Sequence, residues 1–363
     1  MVDAVASHLD FDVLVAGGGP AGAVAARELS RAGWHTAVVE RRRRPLPPRA
    51  ETLPGAALPA LERLELVETM ENAGHPRVGV RRSCWGSEAP RERPALQNPY
   101  GEGWHVDRVW FDAALRTAAE AAGASWIDGS VREVQPLAPH AFQLVLGGQG
   151  ERRLLRARGV VDATGRGAQI ARGLGGQSRR LNRLVAACAT AAPAAELDGV
   201  GLVEAVETGW WYSAPLGDGR YAIQFVTLAE IWSSNRNLAD HLRSANRTAS
   251  RIDPQTMATP VLTLADSTSL DCCANPGWVA IGDAAAAHDP LAAAGLTMAL
   301  RSGLRAAEAL ASWLRDGRTN DLETYDRMQR TAFDRYLRER AVLYSLERRW
   351  PRCPFWAQQG RTR

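Results

Sequence analysis

The sequence has 363 residues, 45 % of them apolar, enough to bury a sizeable core in two domains or one large interleaved one. All 44 basic residues are arginine, against 40 acidic ones, for a formal net charge of +4, so no step of this chain's chemistry can use a lysine ammonium or amine. No apolar run approaches a membrane span, no interleaved aromatic and basic strand points to nucleic acid, and the five cysteines have no metal-ligand spacing.

The cysteines are scattered apart from Cys272 and Cys273, which reads as reduced thiols in a cytoplasmic protein. The acidic start "MVDAVASHLDFDVLVAGGG" lacks the basic region, long apolar stretch and cleavage site of a secretory signal. "FDVLVA" (11–16) is a short apolar, β-branched run typical of a buried parallel strand. "GGGPAG" follows at once and puts Gly17, Gly19 and Gly22 in G-x-G-x-x-G spacing. The first glycine permits the tight turn, the second lets a pyrophosphate approach the backbone, and the third lets the helix pack close to the strand. The helix "AVAARELSRA" keeps Ala26 small on its packing side and ends at Gly33. A second strand, "HTAVVE", finishes at Glu40, where a carboxylate accepts from both ribose hydroxyls of an adenosine and repels a 2′-phosphate. The run Arg42 to Arg44 reads as a solvated turn.

Further along, "VDRVWFDAALRTAAEAAGA" (106–124) reads as a helix and "VVDATGR" (160–166) as a strand. Residues 209–225, "GWWYSAPLGDGRYAIQF", read as two strands joined by the turn Gly217-Asp218-Gly219. Alternation places Trp210 and Tyr212 on one face and Trp211 on the other. The Trp210 and Tyr212 face is either a pocket wall or sheet packing, whereas Trp211 reads as packing. "GWVAIGDAAAAHDPLAAAGLTMALRSG" (277–303) is a buried strand ending at Gly282-Asp283, a loop, and an Ala-rich helix from about Leu291. "YLRERAVLYSLERRWPRCPFW" (336–356) ends a long amphipathic helix in a Trp- and Pro-rich tail. From Arg301 onward 14 Arg stand against 8 Asp and Glu, or +6, which leaves −2 for the remainder. Such a basic end fits a solvated helix face better than an acidic or protein partner.

The 277–303 stretch resembles the second FAD fingerprint of glutathione-reductase-type flavoproteins. There the aspartate bonds the ribityl chain, and the helix after the proline directs its N-terminus at the flavin pyrimidine, where reduced flavin carries negative charge. With "VVDATGR" and the 106–124 helix, four separated motifs stand in that family's order. The order resembles the flavoprotein monooxygenases built like p-hydroxybenzoate hydroxylase, in their tryptophan-halogenase-like branch. The resemblance implies an α/β fold: a glutathione-reductase-type FAD-binding Rossmann domain, an inserted mixed β-sheet substrate domain, and C-terminal helices. It divides the chain into FAD-binding parts at 1–75, 106–175 and 271–310, substrate parts at 76–105 and 176–270, and a helical segment at 311–363.

The same resemblance implies cofactor contacts at Gly17, Gly19, Pro20, Ala21, Gly22, Glu40, Arg41, Glu51, Thr52, Arg108, Val131, Thr164, Gly165, Gly282, Asp283, Pro290, Gly295 and Leu296. His288 and Asp289, in the loop before the flavin-facing helix, are the expected proton-handling residues, and Trp210 and Tyr212 the expected substrate wall. No metal is expected. One dinucleotide fingerprint is present, and "LLRARG" stands where the family's Asp-Gly pyridine-nucleotide motif precedes "VVDATG". Electrons would therefore come from transiently bound NAD(P)H or from an external reduced flavin.

Tryptophan halogenases carry W-x-W-x-I-P where this chain has Trp210, Tyr212, Ala214 and Pro215. Together with "RAETLP" (49–54) and the C-terminal tail, the stretch resembles flavoprotein maturases that hydroxylate a tryptophan side chain within a partner protein during tryptophylquinone biogenesis. The reaction implied is hydroxylation of an electron-rich aromatic ring, such a tryptophan among the candidates, by O₂ through a flavin C4a-hydroperoxide. Three alternatives stand beside it: a halogenase, a dehydrogenase or reductase acting on a small aromatic molecule, and a flavoprotein scaffold. A halogenase needs a lysine beside its hypohalite tunnel, and this chain has none.

Overall fold

A computed structural model describes residues 9–41, 50–94, 99–137, 140–147, 152–196 and 199–359; the expected turn at 42–44 and the first residue of "RAETLP" lie outside them. The apolar run Phe11–Ala16 forms the centre of a parallel sheet, with Val13, Leu14 and Val15 wholly buried. Thr36–Glu40 and Arg153–Asp162 flank it in parallel, followed outward by Ser125–Asp128 on one side and Trp278–Ala280 on the other. Strands buried on both faces are why these segments read as near-continuous apolar runs. The helix Pro20–Arg31 starts with proline at its first position, where a missing N–H costs nothing, and packs against Arg108–Ala121 and Gly295–Asp316.

A second sheet of seven strands runs in the order Val261–Leu264, Leu184–Ala191, Tyr221–Leu228, Gly209–Pro215, Gly201–Val206, Val80–Cys84, Arg91–Pro94. It is mixed, because Gly201–Val206 lies parallel to Val80–Cys84 while its other pairs are antiparallel. Its strands come from two separated stretches of chain, so it is an insertion into the nucleotide-binding unit, as the fold class expected. Strand alternation separates the three aromatics. Trp211 is fully buried on one face, stacked on Phe225 with ring centroids 5.0 Å apart and sharing a core with Tyr221 and Trp232. Trp210 lies on the other face among Tyr344, Phe355 and Trp356.

Two helix boundaries differ from the sequence reading. The Ala-rich helix begins at Gly295, not near Leu291: Asp289 caps Leu291, a 3₁₀ turn spans Pro290–Ala292, and Ala293 sits at φ +47°. A left-handed residue cannot continue a helix, so the helix restarts one turn later. The C-terminal helix Asn320–Ser345 stops before the Arg–Trp–Pro run, and Pro354–Gln359 forms a separate short helix. From the long helix, three tyrosine hydroxyls reach inward: Tyr325 donates to the Ala280 carbonyl, Tyr336 pairs with Ser267, and Tyr344 donates to Asp289.

Candidate active site

Between the parallel sheet and the inserted sheet lies a cleft of about 1240 Å³, larger than the roughly 300–1,000 Å³ of ordinary small-molecule pockets. Every residue that the sequence reading assigned to cofactor, substrate or proton transfer borders it.

At one end the three glycines have separable reasons. Gly17 has φ +105°, and a side chain on it would lie 2.2 Å from the Ala163 carbonyl. A side chain on Gly22 would lie 1.9 Å from the Gly17 carbonyl. A side chain on Gly19 would meet no protein atom within 4 Å, so the protein has no packing reason for that glycine. It caps a helix whose first N–H groups face the cleft and whose first turn holds no acid, which is an arrangement that takes an anion. Beside it the Glu40 carboxylate accepts the Gly18 N–H at 2.5 Å. The helix terminus has room and donors for a phosphate and the carboxylate has acceptors for a ribose, so the residues fit a dinucleotide. Glu40→Ala should weaken FAD binding by roughly 1.5–3 kcal/mol, the value of a hydrogen bond to a charged group. Fluorescence titration of the apo protein measures it, and an unchanged affinity would remove Glu40 from the site.

Midway along the cleft, charges alternate. Arg108 pairs with Glu51 at 2.5 Å and with Asp112 at 3.0 Å. Burial works against its charge, but the two carboxylates more than offset that and hold its proton affinity above the ordinary range. Asp283 opens onto the cleft 3.5 Å from Arg166. Burial, with Glu51 and Asp266 nearby, pushes its carboxyl up despite Arg166 and Arg108. Gly282 is held by Ser302, which accepts its N–H at 2.9 Å. Gly295 and Leu296, at the start of the long helix, close this part of the wall, and Thr52, Val131, Thr164, Gly165 and Pro290 complete it.

At the far end stands the aromatic strand. Tyr212 Oη lies 2.7 Å from Thr52 Oγ1 and 3.4 Å from His105 Nδ1, and burial raises its phenol to about 12. Trp210 donates from Nε1 to Tyr344 Oη at 3.1 Å, and Tyr344 in turn donates to Asp289 at 2.7 Å. Trp210 is thus both: it borders the cleft and is only 1 % exposed, packed from behind.

The expected proton-handling pair lies buried beside the cleft. Asp289 is 1 % exposed and acts as an acceptor, for Tyr344, for the Leu291 N–H and for Arg340 at 3.1 Å. His288 packs against Tyr336 with the rings tilted and their centroids 4.2 Å apart, its Nε2 is unpartnered among the described residues, and burial and Arg166 depress it to about 4. It is neutral at pH 7. His105 is likewise pushed to about 4, by burial and then by Arg81 and Arg251.

These two imidazoles set a pH dependence. Unfolded histidine titrates near 6.5, so between that value and about 4 the unfolded chain binds more protons, and stability falls as pH drops through the window. Each histidine should remove roughly 2 kcal/mol by pH 5. Urea unfolding of wild type against His105→Gln and His288→Gln isolates the effect, because Asp162 and Asp283, raised by burial, run the opposite way. Identical pH slopes in all three proteins would show that the histidines titrate normally.

Sequence reasoning missed His105, Arg81, Arg166, Tyr344 and Arg340. Of these only Arg166, inside "VVDATGR", carried a local signal.

The chain is 26 % identical over 362 residues to LodB of Marinomonas mediterranea, named as an FAD-dependent oxidoreductase, covering 96 % of each. It is 27 % identical over 323 residues to a tryptophan 2-halogenase of Chondromyces crocatus, covering 83 % of this chain and 61 % of that one. The solved structure of QhpG, titled a peptidyl tryptophan dihydroxylase essential for tryptophylquinone cofactor biogenesis, superposes with a TM-score of 0.76 at 26 % identity. The match covers 96 % of this chain and 78 % of that one. Residues 10–340 match the family described as the FAD binding domain, and the chain belongs to it as an FAD-dependent oxidoreductase.

Proposed function

We propose that this protein is an FAD-dependent monooxygenase that hydroxylates an electron-rich aromatic ring, with a tryptophan side chain of a partner protein as the favoured substrate. The observation that carries oxygen transfer over halogen transfer is the complete absence of lysine, which removes the residue a halogenase requires. The resemblance to QhpG, titled a peptidyl tryptophan dihydroxylase, supports the substrate. On this reading residues 1–75, 106–175 and 271–310 hold the cofactor, 76–105 and 176–270 hold the ring, and 311–363 brace the wall between them.

FAD, once reduced by NAD(P)H or by an external reduced flavin, supplies the activation of O₂. The chain does the rest. Gly19 and the helix behind it hold the phosphates, Glu40 and Arg41 the adenosine end, and Glu51, Thr52, Arg108 and Asp283 the middle. Trp210 and Tyr212 wall the place where the ring lies and keep water from it. Tyr212 keeps its proton across the working range, and its hydroxyl, held by Thr52 and His105, fixes its ring in that wall. Asp289 and His288 hold the loop ahead of the Gly295 helix in place.

The test is product analysis. A tryptophan-containing partner peptide or indole, incubated with protein, reduced FAD and O₂ in chloride and bromide, should gain oxygen and no halogen by mass spectrometry. Halogenated product would overturn the reading, and stable reduced flavin in air would make the protein a dehydrogenase.

A further inference from the structure

The cleft carries a positive charge that no carboxylate among the described residues balances. Arg81, in the strand Val80–Cys84, borders the cleft with its side chain partly open to it. Among the described residues its guanidinium meets no carboxylate and makes no hydrogen bond; the groups that act on it are its own burial, the Tyr212 phenol and the like charge of Arg93. Arg93 stands directly opposite in the antiparallel register and also has no acidic partner among the described residues. Like charges directly opposed weaken a strand pair. The contrast one residue along is informative, because there Arg82 opposes Glu92 and the two pair at 2.7 Å.

A second observation lies on the same wall. His105 is 1 % exposed and borders the cleft, yet its Nε2 has no partner. In the tautomer whose Nδ1 accepts from Tyr212, Nε2 carries the hydrogen and is an unused buried donor. A buried donor left unpaired is costly, and a guanidinium is a flat fork matched to a carboxylate. Arg81 lies beside Gly201 in the parallel pairing, and a side chain on Gly201 would lie 3.0 Å from the His105 ring and 3.9 Å from the Tyr212 ring, so the three share one corner.

We propose that this corner is a carboxylate subsite, in which Arg81, with His105 alongside and the like charge of Arg93 across the strand pair adding to its field, binds an acidic group that the substrate carries next to its aromatic ring. The inference rests on reading the cleft as the substrate site. The acidic group has two sources, the free carboxylate of a small aromatic acid or an Asp or Glu side chain beside a tryptophan in a partner protein.

The experiment is calorimetric titration of the FAD-loaded protein with two acid and amide pairs. One pair is indole-3-acetate and indole-3-acetamide. The other is the end-blocked dipeptides tryptophyl-aspartate and tryptophyl-asparagine. One acid at least should bind about tenfold or more tighter than its amide, and the pair that shows the preference identifies the source. Arg81→Gln should weaken that acid by about 10- to 100-fold and leave the amide unchanged. Arg81→Lys should keep part of the preference, because it keeps the charge and loses the fork. FAD affinity should be the same in all three proteins, which also confirms that the variants fold; should Arg81→Gln not fold, Arg93→Gln gives the same reading with a smaller loss. Acids that bind no better than amides, an acid preference untouched in the variants, or no binding of any of the four overturns the subsite. The product assay fails separately, since this titration needs no turnover.

Discussion

The Gly19→Val protein is expected to fold and to hold no FAD. Its backbone at this position is extended, with φ −69° and ψ −178°, a conformation valine adopts freely. The added side chain meets no protein atom within 4 Å at its Cβ, so the only structural cost is a less favourable helix cap, about 1 kcal/mol. All of the added volume projects into the cleft, in front of the helix terminus that presents its N–H groups. A phosphate excluded by a few tenths of a nanometre loses those hydrogen bonds together, and an affinity loss of 100-fold or more, at least about 2.7 kcal/mol, should follow. The neighbouring glycines give the contrast. Gly22→Val places Cβ 1.9 Å from the Gly17 carbonyl, and Gly17→Ala forces φ +105° as well as a 2.2 Å approach to Ala163. Both should fail to accumulate as folded protein. Apo melting curves and FAD titration read the two effects separately, and full FAD occupancy in Gly19→Val would place the pyrophosphate elsewhere.

That difference among three glycines shows what the sequence made legible. Local chemistry with fixed spacing could be read directly: the glycine turn, Glu40 at the tip of the second strand, and Gly282-Asp283 before a helix each sit within a few residues of the element that positions them. The alternation that sends Trp211 to a separate core was equally local, because strand period is set by the backbone. His105 and Arg81 were invisible for the opposite reason. His105 touches Tyr212, 107 positions away, and Arg81 borders the cleft only because the Val80–Cys84 strand pairs with Gly201–Val206 in a sheet built mainly from residues beyond 180. Nothing in "VGVRRSCWG" distinguishes a cleft arginine from a solvated one. Position alone also did not show how Asp289 is held. Its partners Arg340 and Tyr344 lie about 50 residues downstream, and they turn an apparently available acid into an anchored acceptor.

Trp210→Ala and Trp211→Ala form a matched pair whose stabilities should fall together while their activities part. Each removes a fully buried indole, 1 % and 0 % exposed, and truncating such a side chain costs about 3–5 kcal/mol. The Trp211 cavity opens between Phe225 and the core on the outer face of the inserted sheet, away from the cleft. That variant should melt earlier but keep its FAD affinity and, below its melting range, its product yield. The Trp210 cavity opens into the cleft itself. It also takes the indole N–H from Tyr344, whose hydroxyl is bonded to Asp289, so the loop ahead of the Gly295 helix loses one of its supports. Nucleotide contacts at Gly19 and Glu40 are far from this change and should persist. The ring to be oxidised, however, would lose a wall, and a misplacement of about 1 Å can cost roughly a hundredfold in rate. Trp210→Ala should therefore bind FAD, consume O₂, and release it largely as hydrogen peroxide with little hydroxylated product. Peroxide release and product mass, measured on both variants at a temperature where both are folded, decide the matter. Equal product from the two would reduce Trp210 to packing, and loss of FAD from Trp210→Ala alone would make the wall part of the cofactor site.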